Sequence, residues 1–377
     1  MSELQSKTIQ WLRFALVVCV LFIHVHPDSN MAYLGMNNLA SGSLAQQIYT
    51  IVVSALFVVA NVAVPLFFFI SGLLFFAGCE KKWSWRWWRE KLKRRIYTLL
   101  IPYVLFNLIG LLNNSIVGAM GAGYSVVWSN PESLPVVGAF WNSTTFCVGM
   151  ENIFGISMQL VYPEVIPLWF VRDLMVAVLL SPVIYKLMTI TRGWFVAIVA
   201  LLYICGVGAT TAGINSGAVL FFSLGAWFSI RGRDAVEFSS KYKGAILAIA
   251  TLLLVASTIY YVAPFAQQLH NTFYIVGIFV ALVMGSCAAR RVRCKRYDLA
   301  VKSSFFIFAV HMLPLGKGDI LSWCGALASK LFPYDTIWGA ALGYIFAIVL
   351  IVVVCEVLYL LLERLTPRFH KLLCGGR

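Results

Sequence analysis

Residues 47–78 read QIYTIVVSALFVVANVAVPLFFFISGLLFFAG, a long run without one charged side chain. A membrane-spanning helix needs about 20 predominantly apolar residues, so this run can cross a bilayer with residues to spare. Pro65 lies inside the run and removes a backbone hydrogen-bond donor. The stretch therefore predicts a membrane span that is kinked or divided in two near Pro65.

The rest of the chain repeats this apolar character. Of its 377 residues, 61% are apolar and only 12% are charged, a composition that would expose large apolar surfaces on a soluble domain. We expect an all-α polytopic membrane protein that forms a single transmembrane domain over residues 1–377. About ten transmembrane helices are predicted, at residues 11–27, 47–78, 96–114, 168–189, 194–209, 213–230, 244–262, 270–289, 303–323 and 336–362.

The positions of the positive charges test this assignment, because Lys and Arg concentrate in cytoplasmic loops. With the N-terminus placed in the cytoplasm, only Arg172, Lys317 and Lys330 of the 29 Lys and Arg residues fall outside. Both termini are then predicted to be cytoplasmic. The net charge of +14 lies in short blocks between apolar runs rather than on one basic face, so it indicates membrane topology and not nucleic-acid binding.

The longest predicted outer segment is residues 115–166, which contains no Lys or Arg. A connection of about 50 residues is unusually long and tends to be functional. Its carboxylates, among them Glu151, accompany aromatic residues such as Trp128 and Trp141, a mixture that suits the faces and hydroxyls of sugars. An interfacial loop anchored by its aromatic residues is an equal alternative.

Ionisable residues inside membrane spans are costly and are therefore functional candidates. Arg13 and His24 share the first predicted span and are 11 residues apart, which returns them to within about 20° of one helix face. They would lie about 16 Å apart along the axis, comparable to the pantetheine arm of coenzyme A. A guanidinium can bind phosphate while an imidazole acts as general base. The alternative is an interfacial anchor and a hydrogen-bonded packing residue.

Four more residues are weaker candidates. His311 lies in span 303–323 and could face His24 across the bundle, although a structural hydrogen bond is the alternative. Arg172 and Asp173, at the outer end of their span, could position an acceptor or pair with loop groups. Ser71 fits a small-residue helix contact better than a nucleophile. The spacing of the nine cysteines does not indicate a metal site, and none is expected.

Several motifs resemble the membrane acyltransferase family 3. Members of that family carry an Arg, ten intervening residues and the catalytic His in the first helix, as Arg13 and His24 do here. The resemblance extends in order over the first, second, third, fourth and ninth predicted spans. The similar stretches are Arg13 to His24, VPLFFFISG at 64–72, Arg94-Arg95-Ile96 before LLIPY at 99–103, PLWFVRDL at 167–174 and SFFIFAVH at 304–311.

The resemblance implies an acyl-CoA co-substrate, by family habit acetyl-CoA, and no tightly bound cofactor. The acceptor would be a hydroxyl of a cell-surface sugar or glycan, so the implied role is polysaccharide O-acetylation at a bacterial cytoplasmic (inner) membrane. Arg13 would bind donor phosphate, His24 would deprotonate the acceptor, and Arg95 would add charge near the CoA head group. Thr98 replaces a second cation that the family often has, which leaves that pairing to Arg94 or its neighbours. A purely topological role for this basic block remains open.

The rival interpretation is a membrane transporter or flippase, in which broken helices and intramembrane charges line a substrate path without chemistry. The proline at position 65 and the charges within spans suit that class. Against it stand the lack of an internal repeat and the concentration of cations near Arg13 and His24.

Overall fold

The structure is a computed structural model. It describes residues 1–25, 43–79, 83–119, 138, 140–141, 144–151, 157–207, 210–261, 263–291, 295–333 and 336–376. The first part of the chain forms α1 (Glu3–His24), α2 (Leu44–Ala60), α3 (Ala63–Phe75), α4 (Trp85–Arg95), a π-helical turn (Ile96–Leu100) and α5 (Ile101–Ala119). Then follow β1 (Thr144–Glu151), β2 (Ser157–Tyr162), a 3-10 turn (Ile166–Leu168), α6 (Trp169–Leu179), α7 (Ser181–Ile190) and α8 (Trp194–Ile204).

The remainder is again mostly helical. It comprises β3 (Thr210–Thr211), β4 (Ile214–Asn215), α9 (Ser216–Ile230), α10 (Ala235–Lys241), α11 (Lys243–Ile259), α12 (Ala266–Arg291), α13 (Lys295–Val310), α14 (Ile320–Leu331), α15 (Ile337–Leu365) and α16 (Pro367–Leu373).

The described residues contain five helical segments that are long and apolar enough to cross a membrane. They are Glu3–His24, Leu44–Phe75, Trp85–Val117, Ala266–Arg291 and Ile337–Leu365. The bent pairs α6–α7 (57°) and α10–α11 (82°) raise the number to seven if each pair is one span. The protein is therefore an all-α, multi-pass membrane protein.

The division near Pro65 is confirmed. Helix α2 ends at Ala60 and α3 begins at Ala63, so the interruption lies one turn before the proline. The ring of a helical proline clashes with the carbonyl four residues earlier, here that of Asn61. The Asn61 side chain closes the end of α2, because its Nδ2 donates to the carbonyl oxygen of Phe57 at 2.8 Å.

The prediction of one continuous helix at 303–323 is wrong. Helix α13 ends at Val310 and α14 begins at Ile320, and both pack along α15. Pro314 cannot donate a helical hydrogen bond, and Gly316 adopts a positive φ of 59°, a conformation that glycine adopts without strain. Residues 311–319 therefore form a break between two half-length helices. The first helix also differs from the predicted 11–27, since it runs from Glu3 to His24.

The predicted outer insertion contains an antiparallel hairpin. Strand β1 pairs with β2, with Thr144 opposite Tyr162 and Val148 opposite Met158. A second small pair, β3 with β4, precedes α9. The backbone of Glu151 ends β1, but its side chain lies outside the described part of the chain, as do the side chains of the rest of residues 144–161.

Two glycines let α3 and α9 pack with their backbones in contact. A Cβ atom at Gly72 would overlap the carbonyl oxygen of Phe222, and one at Gly225 would overlap that of Phe69. Close backbone approach through small residues is typical of helix pairs in membranes. This contact fixes the depth and rotation of α3, whose C-terminal carbonyl at Leu73 also accepts a hydrogen bond from Ser229 Oγ at 2.6 Å.

We predict that Gly72→Ala destabilises the protein by about 1–3 kcal/mol, because the added methyl group forces two backbones apart. The measurement is thermal unfolding in detergent. Gly244→Ala is the matched control, since no heavy atom lies within 4 Å of a Cβ built there. A Gly72→Ala protein with the thermal midpoint of the wild type would contradict the close packing of α3 on α9.

Candidate active site

Helix α1 carries the two residues that the sequence analysis placed on one face. Arg13 and His24 are both half-buried, and His24 is the last residue of the helix. Stacking of Trp11 on Tyr297, with ring centroids 3.8 Å apart, helps to fix the rotation of α1 against α13. Arg13 forms no ion pair with any carboxylate of the described residues.

His311 lies beside His24. The Nε2 atom of His311 is 3.4 Å from Nδ1 of His24, and the ring centroids are 5.2 Å apart. His311 is fully buried, whereas His24 is partly accessible. The two imidazoles therefore form a pair with one partly accessible and one enclosed member.

Aromatic side chains form the inner wall around this pair. Phe308 lies one turn before His311, with 6.3 Å between the ring centroids. Phe67 and Phe170 contact Phe308, at centroid distances of 6.4 and 6.0 Å. On the other side, the hydroxyl of Tyr344 donates to the carbonyl oxygen of Phe22 and holds the end of α1 against α15. The imidazoles thus lie in apolar surroundings, where hydrogen bonds are electrostatically stronger than in water.

The two arginines of the basic helix α4 have different environments. The Arg95 guanidinium lies 6.0 Å from the ring centroid of Phe75 at the end of α3, and this side chain is half-buried. Arg94 is exposed. Lys91 turns back and donates from Nζ to the carbonyl oxygen of Ala77 at 3.2 Å. Arg95 is therefore the member of this pair that points towards the helix bundle.

Arg172 and Asp173 form a buried ion pair with each other. Their side chains are 3% and 2% exposed, and Arg172 Nη2 lies 2.9 Å from Asp173 Oδ1. Arg172 Nη1 donates to the carbonyl oxygen of Trp141 at 2.7 Å, and the Gly213 backbone N–H donates to Asp173 Oδ1 at 3.1 Å. The pair thus joins α6 to the insertion on one side and to the β3–β4 turn on the other.

A second set of hydrogen bonds ties the same insertion to α5. The hydroxyl of Tyr103 donates to the carbonyl oxygen of Phe140, and the backbone N–H of Val165 donates to Asn107 Oδ1 at 3.0 Å. Burial raises the pKa of the nearby Tyr162 phenol, an effect that the positive charge of Arg172 opposes. The insertion is therefore fixed to the helices near its middle, at Phe140 and Trp141, and at its C-terminal end, at Val165.

The remaining predicted residues are not part of the imidazole pair. Ser71 is half-buried on α3 beside Gly72, whose role in close helix packing the structure supports. Within the described ranges, no three His, Cys, Asp or Glu side chains are grouped to hold a metal ion. The sequence analysis missed Asn107 and Gly213 as partners, and nothing local in the sequence marks them, because both act through segments distant in the chain.

Long apolar helices around a half-buried and a fully buried imidazole define a polytopic membrane protein with a candidate acid–base site. The chain belongs to the acyltransferase 3 family, since the family described as "Acyltransferase domain" matches residues 7–360. It is also similar to the succinoglycan biosynthesis protein ExoH of Rhizobium meliloti (strain 1021). The two are 25% identical over 388 residues, which cover 99% of this chain and 92% of ExoH. No solved structure matches the chain.

We predict that Arg172→Met destabilises the protein by about 3–5 kcal/mol, because Asp173 would remain as an uncompensated buried charge. Removing both charges in Arg172→Met/Asp173→Leu restores part of the loss. Thermal unfolding of the single and double variants in detergent forms the double-mutant cycle. Additive losses would contradict the coupling of the two charges. An Arg172→Met protein of unchanged stability with weaker acceptor binding would instead identify Arg172 as a substrate contact.

Proposed function

We propose that the protein is an acyl-CoA-dependent O-acyltransferase that moves an acyl group, by preference acetyl, to a hydroxyl of a cell-surface glycan. One observation carries the proposal. A half-buried arginine without an ion-pair partner among the described residues and a paired imidazole share one helix, about 16 Å apart along its axis. Family membership gives the reaction class, and this spacing accommodates a phosphate-bearing donor whose reactive end reaches the imidazole.

The proposed reaction is a direct transfer with His24 as general base. His24 takes the proton of the acceptor hydroxyl, and the hydroxyl oxygen bonds to the carbonyl carbon of the thioester. When the carbon–sulfur bond breaks, the CoA sulfur leaves as thiolate and receives the proton from the His24 imidazolium. The products are an ester and free CoA, and His24 returns to its neutral form. No acyl-enzyme on Ser71 is needed, because the base and an oriented thioester suffice.

The donor would be held from the cytoplasmic side. Arg13 supplies a guanidinium that can bind phosphate oxygens in a fork, and Arg95 adds a second cation near the same mouth. Arg94, which is exposed, would contribute only long-range attraction for the anionic CoA head group. Acyl-CoA is a co-substrate in this scheme, and the chain carries out the transfer without a resident cofactor.

The acceptor would approach from the outer side. ExoH, the relative described above, is named for succinoglycan biosynthesis, which supports a polysaccharide or its precursor as the acceptor. Glu151, on the predicted outer insertion, is a candidate acceptor contact. Arg172 and Asp173 would act indirectly, by holding the insertion at Trp141 in a fixed position beside the helices.

We further propose ten spans in a single domain over residues 1–377, with both termini in the cytoplasm of a bacterium and the chain in its inner membrane. The long helices and the bent pairs would supply seven spans. Helices α8 and α9, which are short and apolar, would add two, and α13 with α14 would form one broken span beside α15. The distribution of Lys and Arg supports this orientation.

The first test gives the purified protein labelled acetyl-CoA with alkali-treated succinoglycan and measures CoA release and labelled polysaccharide. We expect His24→Ala to lower kcat by about 10²- to 10⁴-fold, the usual contribution of a general base, with little change in KM for acetyl-CoA. His270→Ala is the matched control, because His270 lies on α12 and contacts Tyr261. Undiminished transfer by His24→Ala would remove the base. A wild-type protein that translocates glycan without releasing CoA would favour the flippase alternative.

A second test measures the binding of acetyl-CoA by isothermal titration. Arg13→Ala should weaken binding by about 1.5–3 kcal/mol, the value of a hydrogen bond to a charged group, which corresponds to about 10- to 150-fold in Kd. Arg86→Ala is the control, since Arg86 is 91% exposed and pairs with Glu90. An unchanged Kd for Arg13→Ala would show that the phosphates bind elsewhere.

A further inference from the structure

His311 lies at the point where its span is interrupted. Helix α13 ends at Val310, and the backbone N–H of Leu321 in α14 donates to the carbonyl oxygen of His311 at 2.9 Å. The backbone on both sides of the break is therefore tied to this residue. Its side chain is fully buried, so each ring nitrogen must find its partner within the protein.

The partners of Nδ1 define which nitrogen of His311 carries the hydrogen. Nδ1 lies 2.8 Å from the carbonyl oxygen of Phe308 and 3.2 Å from that of Ile307. Both are acceptors, so Nδ1 must be the N–H donor. In a neutral imidazole the other nitrogen is then an acceptor. Nε2 of His311 therefore presents a lone pair to His24.

The same reasoning extends to His24. Its Nδ1 lies 2.9 Å from the carbonyl oxygen of Val20 and 3.4 Å from Nε2 of His311. Both of these groups are acceptors, so Nδ1 of His24 carries the hydrogen, and in the neutral ring Nε2 carries the lone pair. The opposite tautomer would direct three lone pairs at one another in apolar surroundings. The carbonyl of Val20 lies within α1 itself, so His311 is the acceptor that another helix supplies.

We propose that His311 is a positioning residue that holds His24 in the tautomer with its basic nitrogen at Nε2. This inference rests on the proposed function, in which His24 is the general base. His311 neither touches the substrate nor changes its own protonation during the reaction. It accepts a hydrogen bond from His24 Nδ1, and it stabilises the positive charge that the His24 ring acquires when it takes the acceptor proton.

The loop that carries the break is itself held in place. Asn113 at the outer part of α5 makes two hydrogen bonds to the backbone of Gly316, from the Gly316 N–H to Oδ1 at 2.6 Å and from Nδ2 to the Gly316 oxygen at 3.1 Å. The Asn113 side-chain amide thus pairs with the Gly316 backbone as another peptide group would. This pairing fixes the irregular segment between α13 and α14. The position of His311 therefore depends on α5 as well as on its own helix.

The kinetic test compares two substitutions of similar size. His311→Phe removes the acceptor, and we expect kcat to fall about 10- to 100-fold, less than for His24→Ala because the Val20 carbonyl still favours the same tautomer. KM for acetyl-CoA should stay within about twofold. His311→Gln retains an acceptor oxygen near the position of Nε2 and should recover most of kcat. His270→Phe, at a histidine whose ring contacts Tyr261 and Tyr274, should match the wild type.

The spectroscopic test reads the tautomer without substrate. In protein labelled with ¹⁵N-histidine, the His24 signals, assigned by their loss in His24→Ala, should report hydrogen on Nδ1 in the wild type and in His311→Gln. His311→Phe should show a mixture of tautomers.

Two results would overturn the proposal, namely a wild-type His24 with hydrogen on Nε2, or a stable His311→Phe protein with full kcat. The two failures can be told apart, because the ¹⁵N measurement needs no turnover. If the protein had no acyltransferase activity, the proposed function would be refuted, and the ¹⁵N spectrum would still report the tautomer of His24.

Discussion

A carbonyl group inside an apolar membrane protein must receive a hydrogen bond from the chain, because no water is there to supply one. The interruptions of the helices are built around this constraint. The Asn61 amide donates to Phe57 where α2 ends, and the Ser181 hydroxyl donates to Val178 at the bend between α6 and α7. At Phe57 the side-chain amide adds to the backbone N–H of Asn61, which donates to the same carbonyl. At Val178 the Ser181 hydroxyl replaces the backbone N–H that Pro182 lacks.

The imidazole pair is a product of the same constraint. His24 ends α1 and approaches the carbonyl of Val20, while His311 follows α13 and approaches that of Phe308. In each ring, Nδ1 thus forms a hydrogen bond with a carbonyl oxygen near the end of its own helix. Because the two helix ends meet, the nitrogen left on His311 faces His24. The ends of two helices and the orientation of the proposed general base are therefore one arrangement.

The sequence predicted the helices well where local rules apply. Uninterrupted apolar residues located α2, α3 and α15, and the proline at position 65 marked the division of the second span. The break at 311–319 was missed because the apolar residues around it fill a span-length window, although Pro314 and Gly316 were the available signal. The β1–β2 hairpin carried no comparable signal, since the sequence before its strands is of mixed composition.

By itself the sequence determined the membrane class, the family motifs and the common face of Arg13 and His24. Residues 11 apart in an α-helix lie within about 20° of the same face, wherever the helix packs. Only the tertiary structure decided that His311, 287 residues from His24, lies beside it, and that Arg172 binds both Asp173 and the backbone of Trp141. Such pairs depend on the depth and rotation of whole helices. Those are set by many packing contacts together, and no single stretch of sequence encodes them.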